Sequence, residues 1–153
     1  MGYCLLYESM LETVIVARDR WLRPGGLVLP DKYLMYMAGV DDHSKLRINK
    51  KLWWSDVYGV DMSCLGKNFL IEPLVDCSPK EMIVTTPCMF KELDLITCTA
   101  EDATFANQYK LEMAKDGKID AIVIWFDVKF DYGLSHKIMF STGPYGEVET
   151  HWK

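Results

Sequence analysis

Glu8 is the first residue whose type and setting ask for a chemical explanation. It is the one acid in the apolar run Met1-Gly-Tyr-Cys-Leu-Leu-Tyr-Glu-Ser-Met-Leu11, set among Tyr3, Leu5, Leu6, Tyr7, Met10 and Leu11. A carboxylate in apolar surroundings is costly unless it is paired or has a cation to hold. The plain alternative is that Glu8 points to solvent from one face of a helix, as lone acids usually do. Met10, taken alone, reads as core. At the other end, Thr150-His-Trp-Lys153 sets an imidazole beside an indole. A lone histidine next to a tryptophan is more often packed or at the surface than a proton carrier.

Other chemistries find little support. The five cysteines, Cys4, Cys64, Cys77, Cys88 and Cys98, are odd in number and contain no C-x-x-C. They match no zinc-ligand spacing with the three histidines, so no metal site is expected and they read as free thiols in a reducing compartment. Seventeen basic and twenty-two acidic side chains give a formal net charge of -5. Such a chain is poorly suited to the phosphate backbone and better suited to a cationic ligand such as an arginine-rich segment. Lys45, Arg47, Lys50 and Lys51 lie near Trp53 and Trp54, a pattern that could stack single-stranded nucleic acid. The global acidity and the shortness of that basic run argue against it, and no direct nucleic-acid partner is expected. No stretch approaches a membrane span and the N-terminus lacks a basic signal-peptide lead, which predicts a soluble intracellular chain.

The elements that must position these residues can be read from period and punctuation. Tyr3, Leu6, Tyr7, Met10, Leu11, Val14, Ala17 and Trp21 recur at helical spacing, predicting one helix from Tyr3 to Leu22. Arg23-Pro-Gly-Gly26 stops it, and Leu27-Val-Leu29 reads as a short buried strand closed by Pro30. A second strand is expected over Leu34 to Val40. Leu52 to Tyr58 and Val60 to Leu65 read as two short helical segments, too short to hide Trp53, Trp54, Tyr58, Met62 and Leu65 alone. Their aromatic and methionine side chains suit either an interface core or an ordinary intramolecular core. From Pro73 onward the period changes to two. Leu93 and Leu95 alternate with Glu92 and Asp94, and Tyr109, Leu111 and Met113 with Lys110 and Glu112. Ile122, Ile124, Phe126, Val128 and Phe130 mark one face of a long strand. Asp116-Gly117 is a hairpin signal, Lys137 to Ser141 one more strand, and Gly143-Pro-Tyr-Gly146 a loop. Closely spaced antiparallel strands point to a sandwich or barrel.

The string MGYCLLYESML resembles the second half of the double-glutamate loop of protein arginine N-methyltransferases, in which two acids grip a substrate guanidinium. Thr-His-Trp at 150–152 resembles a second signature of that family. Leu27-Val-Leu-Pro-Asp31, Trp53-Trp54, Val57-Tyr-Gly-Val-Asp-Met-Ser-Cys64, Glu72-Pro-Leu-Val-Asp76 and Phe140-Ser-Thr142 extend the likeness nearly end to end. It most resembles the asymmetric-dimethylating, type I branch. The resemblance implies that Glu8 is the second of the paired glutamates, the first lying upstream of Met1. It implies that His151 orients the site by pairing with an acid of the preceding part, that Trp152 walls the arginine pocket, and that Met10 shapes access to the methyl group. The chemistry is sound, because arginine stays charged and its planar fork meets carboxylates two bonds at a time.

The implied fold class is α+β: the last helix and strands of a Rossmann-like methyltransferase domain (1–31), then a mostly antiparallel β-barrel substrate domain (32–153, incomplete). A helical dimerisation arm (41–75) is inserted in the barrel, and Trp53, Trp54, Tyr58 and Met62 are expected at a homodimer interface. The family's glycine-rich turn and ribose-binding acid have no counterpart here. Pro24-Gly-Gly26 follows a helix instead of a strand, so it is a cap and no nucleotide cradle. S-adenosylmethionine is therefore expected as cofactor of a full-length protein, through a site upstream of Met1, and not as a ligand of this chain by itself, which is expected to be inactive alone. The expected substrates are arginine-containing proteins, and the expected location is cytoplasm or nucleus. The rival reading is a non-catalytic interaction or dimerisation module built on the same fold.

Overall fold

A computed structural model of the chain describes residues 2–42, 52–69, 71, 73–147 and 150–152. The basic stretch at 43–51, with Lys45, Arg47, Lys50 and Lys51, lies outside the described residues.

The framework is a four-stranded antiparallel sheet in the order β2-β1-β3-β4. Its strands are β1 (Lys32–Val40), β2 (Cys88–Asp94), β3 (Ala121–Phe130) and β4 (Ile138–Ser141). β1 pairs with β3 along its whole length, from Lys32 opposite Lys129 to Val40 opposite Ala121. Its other edge takes β2, with an irregularity between Met35 and Tyr36. β1 is buried at nearly every position, because both of its faces are covered.

Alternation along the strands sends the core to two sides. Tyr33, Met35, Phe126 and Val128 face one cluster with Leu93 and Leu95, closed by Leu5, Leu11 and Ile15 from the N-terminal segment. Ala38, Val40 and Trp125 face the other, with Ile83. Residues 2–31 are thus packed onto the sheet as part of one core.

The helix α1 spans Leu11–Trp21, with Leu11 and Ile15 one turn apart on its buried face. Arg18 and Arg20 in its last turn suit the negative end of the helix dipole. Arg18 also donates to the carbonyl of Leu95 at 3.0 Å, tying the helix to the end of β2. The expected helix from Tyr3 therefore begins eight residues late. Residues 3–5 and 7–9 form two 3-10 turns instead. Cys4, Leu5, Glu8 and Ser9 all have positive φ, which no α-helix accommodates. The core takes Leu5 there, while Tyr7 and Trp21, on the expected apolar face, are exposed.

The strand expected at Leu27–Leu29 does not form. Ladder pairing starts only at Asp31, whose N–H donates to the Lys129 carbonyl at 3.0 Å. Leu27 and Leu29 have no described neighbour to pair with and stay exposed. Asp31 itself is buried, and its carboxylate accepts the Asp131 N–H at 2.6 Å, locking the start of β1 to the end of β3. The strand expected around Tyr109–Met113 is reduced to a bridge between Met113 and Thr85.

In the segment after the basic stretch, Leu52-Trp53 makes one helical turn, Val57 and Val60 form an isolated bridge, and α2 spans Ser63–Phe69. Ile122 and Ile124, expected on the core face of β3, are exposed, and the burial moves to Trp125.

Candidate functional site

The N-terminal turns and the Thr-His-Trp segment meet on the same core. Cys4, Leu6, Phe140 and Trp152 pack against the cluster that holds Leu5, Leu11 and Phe126. The Trp152 indole meets Phe126 edge-on at 5.5 Å and lies nearly parallel to Phe140 at 6.4 Å. A hydrogen bond from the Thr150 hydroxyl to the Trp152 carbonyl at 2.5 Å curls the segment. His151 is exposed, with its ring edge-on to Trp152 at 5.6 Å.

Glu8 sits in the second 3-10 turn at φ 73 and is exposed, so solvent shares in carrying its charge. Met10 caps α1 and is 45% exposed. A left-handed backbone at a non-glycine residue costs about 1–2 kcal/mol. Four such residues, Cys4, Leu5, Glu8 and Ser9, lie within six positions here. Strain of this kind clusters at ligand-holding sites, where neighbouring structure over-determines the backbone. The Cys4 thiol is held above its ordinary pKa by burial, which keeps it protonated and unreactive.

Beside this end of the sheet lies a cavity of about 580 Å³. Tyr3, Cys4, Thr150 and Trp152 line it, whereas Glu8, Met10 and His151 are not among its lining residues. Among the described residues its ionisable carboxylates are Asp42, Asp76 and Glu147, and no described lysine or arginine lines it. Its floor is β3 from Ala121 to Phe126. Among the described residues that half of β3 is paired with β1 only, because β4 reaches only as far as Asp127. Thr142 ends the ladder. Its N–H donates to the Phe126 carbonyl at 3.0 Å, and its hydroxyl accepts the Phe126 N–H at 3.1 Å.

Sequence reasoning missed two features near this floor. Trp125 is buried, stacks on Tyr36 at 5.6 Å and packs against the loop backbone at Gly143. A Cβ on Gly143 would lie 2.2 Å from the Trp125 ring, so the loop approaches only because that position is glycine. Asp127 is the second. Burial raises its carboxyl pKa, a Ser141 hydrogen bond and Lys129 oppose that, and Oδ1 is buried without a hydrogen-bond partner. The signal for both was the alternation of β3, whose two faces exchange roles midway.

On the opposite part of the chain, Trp53 meets Trp54 edge-on at 5.1 Å. Trp54 and Met62 are half-buried and joined by a bond from the Met62 N–H to the Trp54 carbonyl at 2.8 Å. Leu52, Trp53, Tyr58, Val60 and Ile71 are exposed. Large exposed apolar patches are a feature of interaction surfaces, and this segment supplies these exposed apolar side chains.

No described strand, glycine turn and helix N-terminus come together to hold a dinucleotide-like cofactor. Gly25 and Gly26 follow the C-terminal end of α1, which presents carbonyls where a phosphate or carboxylate would need N–H donors. The described residues therefore do not fit S-adenosylmethionine.

Residues 31–153 match the model of the arginine methyltransferase oligomerization subdomain. The chain is 43% identical, over its whole length, to protein arginine N-methyltransferase 1 of Dictyostelium discoideum, and covers 44% of that protein. It is 45% identical to the probable protein arginine N-methyltransferase 1.2 of Arabidopsis thaliana, again over its whole length and covering 41% of the relative. Among solved structures it is similar to the Trypanosoma brucei arginine methyltransferase 1 enzyme-prozyme heterotetramer with S-adenosylhomocysteine. The TM-score is 0.83 at 34% identity, covering 99% of this chain and 47% of that one. The chain spans less than half the length of the curated relatives it matches.

Proposed function

The chain belongs to the protein arginine N-methyltransferase family, and on that premise we propose that it is the C-terminal part of an enzyme that methylates arginine side chains of proteins. The observation that carries this reading is the meeting of two separated motifs, the strained turns around Glu8 and the Thr150–Trp152 segment, on one core. In the whole protein S-adenosylmethionine supplies the methyl group, bound by residues that precede this chain.

This chain's share of the work is to hold the acceptor. Glu8 takes one edge of the substrate guanidinium, and a second acid from the preceding part takes the other. Together they fix its plane and leave one nitrogen free to attack. Positioning and electrostatics of this kind account for most of the acceleration in a transfer with little further proton chemistry. Trp152 forms an apolar wall whose orientation is set by Phe126 and Phe140. Met10 lines the approach, and His151 orients the acids of the preceding part. A cavity whose described charged lining is all acidic suits the cationic flank of an arginine-rich substrate.

In this reading residues 1–31 close the cofactor domain and 32–153 form most of a barrel. The half of β3 that has no outer neighbour among the described residues is the edge that further strands would complete. The segment 41–75 is the dimerisation arm, with Trp53, Trp54, Tyr58 and Met62 set against the cofactor domain of a second copy.

Methylation of an arginine-rich peptide by the intact protein carrying Glu8→Gln tests the central role. Loss of one ionic partner to the guanidinium should lower turnover by about a hundredfold or more. Unchanged turnover would remove Glu8 from the mechanism. A non-catalytic assembly module is the second reading, favoured by the absence of a cofactor cradle among the described residues. Calorimetry with S-adenosylmethionine on the intact protein separates the two, since the module would give no binding heat.

A further inference from the structure

The chain leaves the sheet at Thr142, and a side chain lets it do so. The last regular pair of the β3–β4 ladder is Asp127 opposite Ser141. One step on, the Phe126 N–H meets the Thr142 hydroxyl at 3.1 Å, where a continuing antiparallel ladder would present a backbone carbonyl. The same hydroxyl donates to the Phe126 carbonyl at 3.0 Å, which also accepts the Thr142 N–H at 3.0 Å. A hydroxyl can accept and donate at once, so this one stands in for the residue's own carbonyl and frees the backbone to turn away. It turns at once. The Gly143 N–H donates to Ser141 Oγ at 3.1 Å, and the Gly146 N–H to the Gly143 carbonyl at 3.0 Å. Ser141 is itself hydrogen-bonded to Asp127.

This junction adjoins the seat of Trp152. Phe126, gripped through its backbone by Thr142, meets the indole edge-on at 5.5 Å. Phe140, two residues before Thr142, lies nearly parallel to it at 6.4 Å. The two rings belong to different strands, so the slot between them depends on how firmly β4 is laced to β3 at this end. We propose that Thr142 is a positioning residue for methyl transfer, whose hydroxyl laces β4 to Phe126 and thereby fixes the slot in which Trp152 stands as the wall of the arginine pocket. This deepens the function proposed above and rests on it. Thr142 acts through Phe126 and Trp152, and Ser141 supports the same junction from the Asp127 side.

Steady-state methylation by the intact protein tests this, with S-adenosylmethionine and peptide varied separately. Thr142→Val keeps the shape, removes the hydroxyl and leaves the Phe126 N–H unpaired. It should raise the peptide KM by about tenfold and leave the S-adenosylmethionine KM within about twofold. Thr142→Ser, which keeps the hydroxyl, should restore the peptide KM. Loss of folded protein alone would lower kcat and move neither KM, and that outcome overturns the proposal. An unaltered Thr142→Val, or a Thr142→Ser as impaired as the valine variant, overturns it too. Thr142 also lines the acidic cavity, so the effect should be equal on a short peptide with one arginine and on a long arginine-rich one. A defect confined to the long peptide would mark a direct contact with its flank and overturn the positioning role. Should Thr142→Val fail to fold, the milder Ser141→Ala decides, with an expected rise in peptide KM of about threefold and none overturning the proposal. Loss of turnover on Glu8→Gln beside a normal Thr142→Val sinks this inference alone, whereas a wild-type protein inactive on both peptides sinks the proposed function with it.

Discussion

Asp127 carries its charge at a cost that pH can remove. Burial holds its carboxyl pKa above the usual range, so the folded chain binds this proton more tightly than the unfolded chain does. Its contribution to stability is fully present below the ordinary carboxylate value near ~3.9 and is lost as pH rises through the raised folded value. At neutral pH the ionised group works against folding. Asp127→Asn, which keeps an acceptor for Ser141, should raise stability at pH 7 by about 1 kcal/mol, with the gain fading toward pH 4. Urea denaturation at the two pH values checks this, and a variant less stable at pH 7 would contradict the assignment. The Tyr33 hydroxyl, buried beside Cys98 and pushed up to about 12, stays neutral throughout that range. Glu8, Trp152 and the arm aromatics stand out in the sequence through the motifs they belong to, while type and spacing alone left solvent or core readings open for them. Their surroundings were not legible there. Left-handed backbone at Glu8 and Tyr58 follows from closing tight turns, and side-chain patterns do not encode it directly.

At the scale of elements, β1 and β3 are the frame from which the site hangs. Phe126 sits where β3, Trp152 and Met35 converge and is 1% exposed. Phe126→Ala should cost roughly 3–5 kcal/mol and free the Trp152 ring. A drop in melting temperature accompanied by a red-shifted tryptophan emission would register both effects. Gly143→Ala should be smaller in volume but severe in effect, displacing Trp125 and destabilising by about 1–3 kcal/mol. β1, β3 and β4 were legible as strands from their β-branched and aromatic runs bounded by turn residues, but alternation did not give their buried faces, since β1 is buried on both sides and β3 exchanges its faces midway. The N-terminal helix was read eight residues too long. Helical spacing from Tyr3 to Met10 is a real pattern, but packing against the sheet selected Leu5 over Tyr7 and interrupted the helix before Leu11. Leu27–Leu29 has strand composition and no strand partner, and composition cannot supply the missing hydrogen bonds.

For the molecule as a whole, the described surface carries two distinct features. One end gathers the strained turns, Trp152 and the acid-rimmed cavity, and another exposes the apolar arm. Replacing Trp53 and Trp54 together with alanine should convert the intact protein from dimer to monomer, with its sedimentation coefficient falling accordingly. An unaltered dimer would place the interface elsewhere. Composition gave only a net charge of -5, and nothing in it indicated that Asp42, Asp76 and Glu147, far apart in the chain, would line one cavity. The half of β3 that is unaccompanied among the described residues has a practical corollary. Its backbone from Ala121 to Trp125 offers hydrogen bonds to any extended polypeptide, and Ile122 and Ile124 flank it with exposed hydrocarbon. Strands so presented nucleate ordered self-association, and a lysine there is the usual deterrent. Preparations of the 153-residue polypeptide should cloud on concentration, and Ile124→Lys should delay the onset of turbidity in a light-scattering assay.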